Sequence, residues 1–334
     1  MYKNKKILIT GGTGTIGYHL TRRLLKEEPS VIRIFSRDEY KQYNMSLDFE
    51  KDSRKLRFLI GDVRDEQRLL RAMEDIDFVF HLAAMKHVPF CEYNPFEAVK
   101  TNVIGTQNVI QAAISAGVSK VLFASSDKAI SPTNTYGATK LTAERLITAA
   151  EYQKGPKSTI FASVRFGNVM GSRGSVIPLF QEQVLNRHAI TVTDLNMKRY
   201  MMTPSQAISL MLKANEMARG GEVFVLKMPI VLLADLASVI VEETCKKHHI
   251  KEPVKIEEFG LRPGEKMYEE LMTMDEKRTA LETPHMYILP SIHSKPADHD
   301  AGLYDLKETE VSPYGDMLID KELLRQWLLE DRLI

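Results

Sequence analysis

Tyr136 and Lys140 stand four residues apart, so on a helix both side chains face the same way. A phenol beside an ammonium is a proton-abstracting pair, because the positive charge favours the phenolate. Nine residues before the tyrosine, an acid and an amine are adjacent, Asp127 and Lys128. Read alone, that pair is a solvated turn, and a Tyr-x-x-x-Lys spacing is common in any protein. Both acquire meaning only from the elements that would hold them.

Those elements are legible. KKILITG, VIRIFS, LRFLIGD, FVFHLA, KVLFASS and TIFASVRFGNV are apolar runs rich in β-branched and aromatic residues. Amphipathic stretches such as YHLTRRLLKEE, EQRLLRAMED and GTQNVIQAAISAG lie between them, the last ending at Gly117 as a helix C-terminus does. Strand–helix alternation of this kind predicts an α/β fold, a doubly wound parallel sheet of Rossmann type covered on both faces. The texture changes near residue 168, so residues 1–167 are expected to form the nucleotide-binding domain. Residues 168–334 should form mainly a smaller C-terminal substrate-binding lobe, with some chain returning to the Rossmann core. The polar stretch 290–316 reads as a surface loop, and the closing DKELLRQWLLEDRL as a packing helix carrying the single tryptophan, Trp327.

GGTGTIG at 11–17 follows the first strand directly and opens a helix, the context a dinucleotide fingerprint requires. The glycines permit a tight turn against a pyrophosphate, which the helix N-terminus attracts. The second strand ends in Ser36-Arg37-Asp38. Arg37, helped by Lys41, is suited to the 2′-phosphate of NADP, whereas a carboxylate such as Asp38 would hold the ribose of NAD. NADP is the expectation, tightly bound and recycled, with NAD left open. Asp62 and Val63 end the third strand at the adenine edge, and Leu82, Ala83 and Ala84 end the fourth beside the cofactor. In this setting Lys140 can also hydrogen-bond the nicotinamide ribose while Tyr136 removes an alcohol proton as hydride departs.

The net charge of +1 argues against a nucleic-acid surface. No apolar run approaches the roughly 20 residues that span a bilayer, so a soluble cytoplasmic protein without a membrane partner is expected. Cys91 and Cys245 have no metal-ligand spacing, and no metal site is expected.

GGTGTIG, GDVRD, HLAA, TNVIGT and YGATK together resemble the extended short-chain dehydrogenase/reductase superfamily over nearly the whole chain. With Asp127-Lys128 where the retaining dehydratases carry Asp-Glu, and with SRDEYKQ, AAMKHVPFCEYNP, RFGNVMGSRGSVIP and RPGEK, the chain is similar to the inverting UDP-N-acetylglucosamine 4,6-dehydratases of pseudaminic-acid synthesis. It departs from them at Ser126, where threonine is usual, in MKRYMMT, and at Tyr268, where histidine is usual.

The resemblance implies oxidation at C4 of the hexose, loss of water across C5 and C6, and return of hydride to C6. It makes Tyr136 the base at O4, Lys128 the base at C5, and Asp127 the acid at O6. Lys128 must then be neutral, which burial or the nearby Lys140 would favour, and Asp127 must hold a proton in a dry pocket. The implied cofactor set is Gly11, Thr13, Gly14, Thr15, Ile16, Gly17, Ser36, Arg37, Asp38, Lys41, Asp62, Val63, Leu82, Ala83, Ala84, Lys86, Tyr136, Lys140 and Val169. The implied grip on UDP-N-acetylglucosamine or a close UDP-sugar is Lys86, Ser126, Asn168, Arg173, Arg199, Arg262 and Glu265. The superfamily usually associates, so a homo-oligomer built on the two long helices corresponding to residues 95–116 and 136–154 is expected. A product with a 5,6 double bond, and a 4- or 5-epimerase, are the alternative activities.

Overall fold

The computed structural model describes residues 1–262, 264–291 and 317–334; the expected surface loop falls, from residue 292 onward, outside the described residues. The strands in chain order are β1 (Lys6–Thr10), β2 (Val31–Ser36), β3 (Leu56–Ile60), β4 (Phe78–His81), β5 (Lys120–Ala124), β6 (Ile160–Arg165) and β7 (Asn168–Val169). They continue with β8 (Ala189–Val192), β9 (Lys198–Met202), β10 (Val223–Leu226), β11 (Ile230–Leu232), β12 (Lys255–Glu258), β13 (Leu281–Glu282) and β14 (Met286–Leu289). The helices are α1 (Thr15–Leu25), α2 (Glu39–Asp48), α3 (Glu66–Met73), α4 (Val88–Tyr93), α5 (Pro95–Ala98) and α6 (Gly105–Ala116). After them come α7 (Thr135–Gln153), α8 (Val176–Arg187), α9 (Pro204–Met217), α10 (Leu233–His248), α11 (Met274–Thr279) and α12 (Lys321–Glu330).

All six strands expected from the apolar runs form, and they lie parallel in the order β3-β2-β1-β4-β5-β6. Their continuous apolar character follows from cover on both faces. In β1, Ile7 and Ile9 join the core beneath α1, α2 and α9, while Leu8 joins the one beneath α3, α6 and α7. The strand order reverses between β1 and β4, and a crevice opens there at the C-terminal strand ends, where such sheets bind ligands.

Chain from the second half completes this sheet. β10 pairs parallel with β6, and β14 and β13 extend it antiparallel, giving nine strands. A separate core of residues from α8, α10, α12, β8 and β9 includes Trp327, which is 7% exposed, so that helix packs as expected.

The segment 95–116, expected as one helix, changes geometry midway: α5 passes through a π-helical stretch at Val99–Ile104 before α6. Asn102 in that stretch accepts from Met85 N at 2.8 Å and donates to Met85 O and to Thr139 Oγ1, each at 3.0 Å. It thereby ties the end of β4 to α7.

Arg165 at the end of β6 is fully buried, and its guanidinium joins three elements. It donates to Glu144 Oε1 of α7 at 2.6 Å and to Glu276 Oε2 of α11 at 3.0 Å, and Glu144 accepts from Ser125 Oγ at 2.5 Å. Arg165→Met strands Glu144 as a buried anion, so unfolding in denaturant should show a loss of about 3–5 kcal/mol. An unchanged midpoint would mean that the network is dispensable.

Candidate active site

The glycine-rich turn after β1 is forced by close backbone approach. Gly11 has φ of +65°, and a Cβ there would meet the Ala83 backbone at 2.8 Å. At Gly17 a Cβ would meet Gly12 O at 2.4 Å. Gly14 occupies the N-cap of α1 and gives no side-chain cap, so the first N–H groups of the helix stay available to an anion. These features, with Arg37, Lys41 and Arg173, bound a cavity of about 680 Å³ whose shape and charge fit a dinucleotide. Every expected cofactor residue from Gly11 to Lys86 lines it, whereas Tyr136, Lys140 and Val169 do not.

Asp38, the residue that kept NAD open, lines this cavity and also caps α2. Its Oδ1 accepts from Lys41 N at 2.9 Å and its Oδ2 pairs with Lys41 Nζ at 2.6 Å. Arg37 is 57% exposed at its side chain and 3.6 Å from Asp62 Oδ2. Arg64 makes the closer contacts to Asp62, at 2.7 and 2.9 Å, and these outweigh burial to hold that carboxyl below its ordinary value.

The reactive stretch lies between β5 and α7. Asp127 is fully buried, and its Oδ1 accepts from Ser126 Oγ at 2.8 Å and from Lys128 N at 2.9 Å. Lys128 Nζ lies 3.1 Å from Asp127 Oδ1 and 3.2 Å from Oδ2, and its side chain is 21% exposed. Tyr136 and Lys140 follow in the first turns of α7, both buried. Asn134 caps that helix by accepting from Gly137 N at 2.8 Å.

Electrostatics reverse two expectations. Burial works to depress the Lys128 amine, but Asp127, Glu269 and Tyr136 outweigh it and hold the amine above its ordinary value. Tyr136 is raised because burial dominates over the opposing Ser126 hydroxyl and Lys128 cation. The Lys140 ammonium expected to help the phenol is itself suppressed, to about 7, by burial. Its amine donates to Ala124 O at 2.5 Å and sits 4.1 Å from the Phe123 ring centroid.

A second cavity, of about 260 Å³, opens beside β7 and β9 and is lined by Asn168, Arg199, Arg262 and Glu265 among others. Arg199 donates to Lys266 O at 2.7 Å and Met267 O at 3.0 Å, and Arg262 lies over the Phe259 ring. Arg173, grouped with these residues from the sequence, sits elsewhere. Its N–H donates to Thr15 Oγ1 at 3.1 Å, its guanidinium reaches Thr13 O, and it lines the dinucleotide cavity. Lys86 lines that cavity too, while Ser126 borders Asp127.

Sequence reasoning missed Glu269. Its side chain is 7% exposed and its Oε1 is 3.7 Å from Lys128 Nζ, although the two residues are 141 positions apart in sequence. It lies three positions after Lys266, the last residue of RPGEK, and no local pattern announces its role. Among the described residues no cluster of His, Cys, Asp and Glu is arranged to hold a metal ion, and no helix is long and apolar enough to cross a membrane.

Residues 7–291 match the family model described as polysaccharide biosynthesis protein. The chain belongs to this family. Uncharacterized membrane protein MJ1061 of Methanocaldococcus jannaschii is 50% identical over 289 residues, 86% of each chain. UDP-N-acetylglucosamine 4,6-dehydratase (inverting) of Campylobacter jejuni is 42% identical over 311 residues, 92% of this chain and 90% of its own. UDP-glucose 4-epimerase of Rickettsia prowazekii is 41% identical over 294 residues, 87% of this chain and 84% of its own. The X-ray structure of Pen from Bacillus thuringiensis is 54% identical with a TM-score of 0.91, covering 100% of this chain and 99% of that one. This polysaccharide-biosynthesis chain thus has family relatives named for two reaction types, and both types act on UDP-sugars.

The family member's α7 and its Asp-Lys turn touch at one glycine. A Cβ at Gly137 would lie 2.1 Å from Lys128 O, a backbone atom that cannot yield cheaply. Gly137→Ala should cost about 1–3 kcal/mol in thermal unfolding. It should leave dinucleotide binding, read by fluorescence titration, within about twofold, because the glycine-rich turn is untouched. Full stability in the variant would show that the turn moves freely.

Proposed function

We propose that this chain is an NADP-dependent UDP-N-acetylglucosamine 4,6-dehydratase that inverts C5 and yields the 4-keto-6-deoxy-L-arabino sugar for surface-glycan synthesis. The observation that carries the reading is fully buried Asp127 paired with half-buried Lys128 in the turn after β5, ahead of buried Tyr136 at the start of α7. An oxidation needing only Tyr136 and Lys140 would gain nothing from burying a second acid and amine there. The Campylobacter jejuni relative supports the substrate and the reaction.

Bound NADP supplies a hydride acceptor at C4 and the same hydride for C6, so there is no net redox change. Tyr136 removes the O4 proton during that oxidation, and the resulting ketone acidifies the C5–H. Lys128 takes the C5 proton, and Asp127 protonates the departing O6 hydroxyl as water. One proton transfer inside the pair, from Nζ to the carboxylate across 3.1 Å, creates the neutral amine and the carboxylic acid together. Asn168, Arg199, Arg262 and Glu265 line the adjoining cavity and would hold the UDP-sugar there. NADP is favoured over NAD because Arg37 and Lys41 line the cofactor cavity and Asp38 beside them is engaged by the α2 backbone and by Lys41.

A second reading, UDP-sugar 4-epimerase, is supported by the name of the Rickettsia prowazekii relative. Incubation with UDP-N-acetylglucosamine separates the readings. Product mass shows loss of water for a dehydratase and no change for an epimerase. Sugar proton couplings distinguish the 4-keto product from one with a 5,6 double bond.

Arg37→Ala should weaken NADP binding by about 1.5–3 kcal/mol and leave NAD nearly unchanged. Equal losses for both cofactors would refute the assignment of Arg37. Lys128→Ala should cut dehydration by at least about 10²–10⁴-fold while substrate still binds and some reduced nicotinamide accumulates, visible in its absorbance. Near-normal dehydration would make Lys128 a bystander.

A further inference from the structure

Lys128 is flanked by two carboxylates, Asp127 at 3.1 Å and Glu269 at 3.7 Å. The mechanism above uses only the first. Glu269 reaches the site on a segment clamped over the loop that precedes α7. Gly264 O accepts from Thr133 Oγ1 and Asn134 Nδ2, both at 3.1 Å. Lys266 Nζ donates to Ile130 O at 3.1 Å and Ser131 O at 2.8 Å, and Arg199 holds the Lys266 and Met267 carbonyls. A buried carboxylate delivered by six such contacts is built into its position, and Lys128 is its ion-pair partner among the described residues.

The two possible charge states of Glu269 act differently on Lys128. The internal transfer that arms the pair takes the positive charge off Nζ. An ionised Glu269 opposes this step, because it attracts the Lys128 cation more strongly than it repels Asp127. A neutral Glu269 leaves the step free. The groups that face Glu269 are Lys128 and Asp127 from the turn after β5, Arg199 from β9, and Lys266 from its own segment. Burial is the largest influence and favours the neutral acid, and Asp127 adds to it; Lys128, Arg199 and Lys266 oppose, and the carboxyl is held above its ordinary value.

We propose that Glu269 is a positioning residue that governs where the proton of the Asp127–Lys128 pair resides. Protonated, it permits the shift from Nζ to Asp127; ionised, it fixes the proton on Lys128 and arrests elimination. The atoms balance within the pair: one N–H bond breaks, one carboxyl O–H bond forms, and no other reactant takes part. The inference rests on Lys128 acting as the C5 base.

The test is Glu269→Gln, which keeps the volume and removes the charge. Lys128 acetylation by acetic anhydride, followed by peptide mass spectrometry across a pH series, reports the neutral amine without any substrate. Above the pH at which Glu269 ionises, Lys128 in the variant should label about tenfold faster than in wild type, relative to exposed lysines, since an opposite charge this close moves a pKa by about one or more. The two profiles should converge at the acid end. In parallel, wild-type dehydration should fall as pH rises through the Glu269 ionisation, and that falling limb should disappear in Glu269→Gln. Superimposable labelling profiles would overturn the proposal, as would an unmoved limb. If the variant does not fold, the wild-type labelling profile decides: ionisation of Glu269 makes it shallower than a single titration, and a simple one-group curve refutes the coupling. Absence of dehydration in wild type would refute the dehydratase reading and leave the labelling result standing on its own.

Discussion

An acid and an amine share a site from which water is largely shut out, and the rest of the site follows from that constraint. A carboxylate as buried as Asp127 is tolerable only if it is paired and hydrogen-bonded. Lys128 supplies the charge, and Ser126 Oγ and two backbone N–H groups complete the shell, one donating to the carboxylate and one, from Asp127 itself, anchoring the turn to Phe166 O. Holding that turn against α7 requires Gly137, and the chain after β6 passes it at Gly167, where a Cβ would lie 2.9 Å from Tyr200 O and 3.3 Å from Asp127 Oδ2. The clamp formed by residues 264–269 closes the remaining side.

The same constraint explains why the two halves of the chain interlock. The sheet edge alone offers a dinucleotide cavity but leaves the reactive pair uncovered. Strands β10, β13 and β14 return to the sheet and carry with them the connections that deliver Arg199 and Glu269. Arg173 links the halves on the cofactor side by bonding Thr13 O and Thr15 Oγ1 in the glycine-rich turn. The dinucleotide cavity therefore has walls from both halves, and Ser172 from the second half also lines the cavity beside β7 and β9.

Much of this was legible in the sequence, for physical reasons. The six parallel strands showed as apolar runs because both their faces are buried, and the glycine-rich turn showed because no other residue fits such close backbone contacts. Asp127, Lys128, Tyr136 and Lys140 lie within one turn and one helix, so their spacing alone brings them together. What stayed hidden depends on distance in sequence. Glu269 meets Lys128 through tertiary folding, and Arg173 points to the cofactor cavity through the path of the chain after β7. The protonation expectations failed for a related reason. The sum of burial and several charges decides each group, and one of the two carboxylates that raise Lys128, Glu269 beside Asp127, was not announced by the sequence.

The central claim is that the pair moves hydrogen at C5 while hydride travels from C4 to C6. The most direct measurement uses UDP-N-acetylglucosamine carrying deuterium at C4, incubated with the protein in ordinary water and, unlabelled, in heavy water, with the product read by mass and NMR. The account predicts that the C4 deuterium reappears at C6 with loss of water, and that solvent deuterium is found at C5. Deuterium retained at C4 of a product that has lost no water would contradict it.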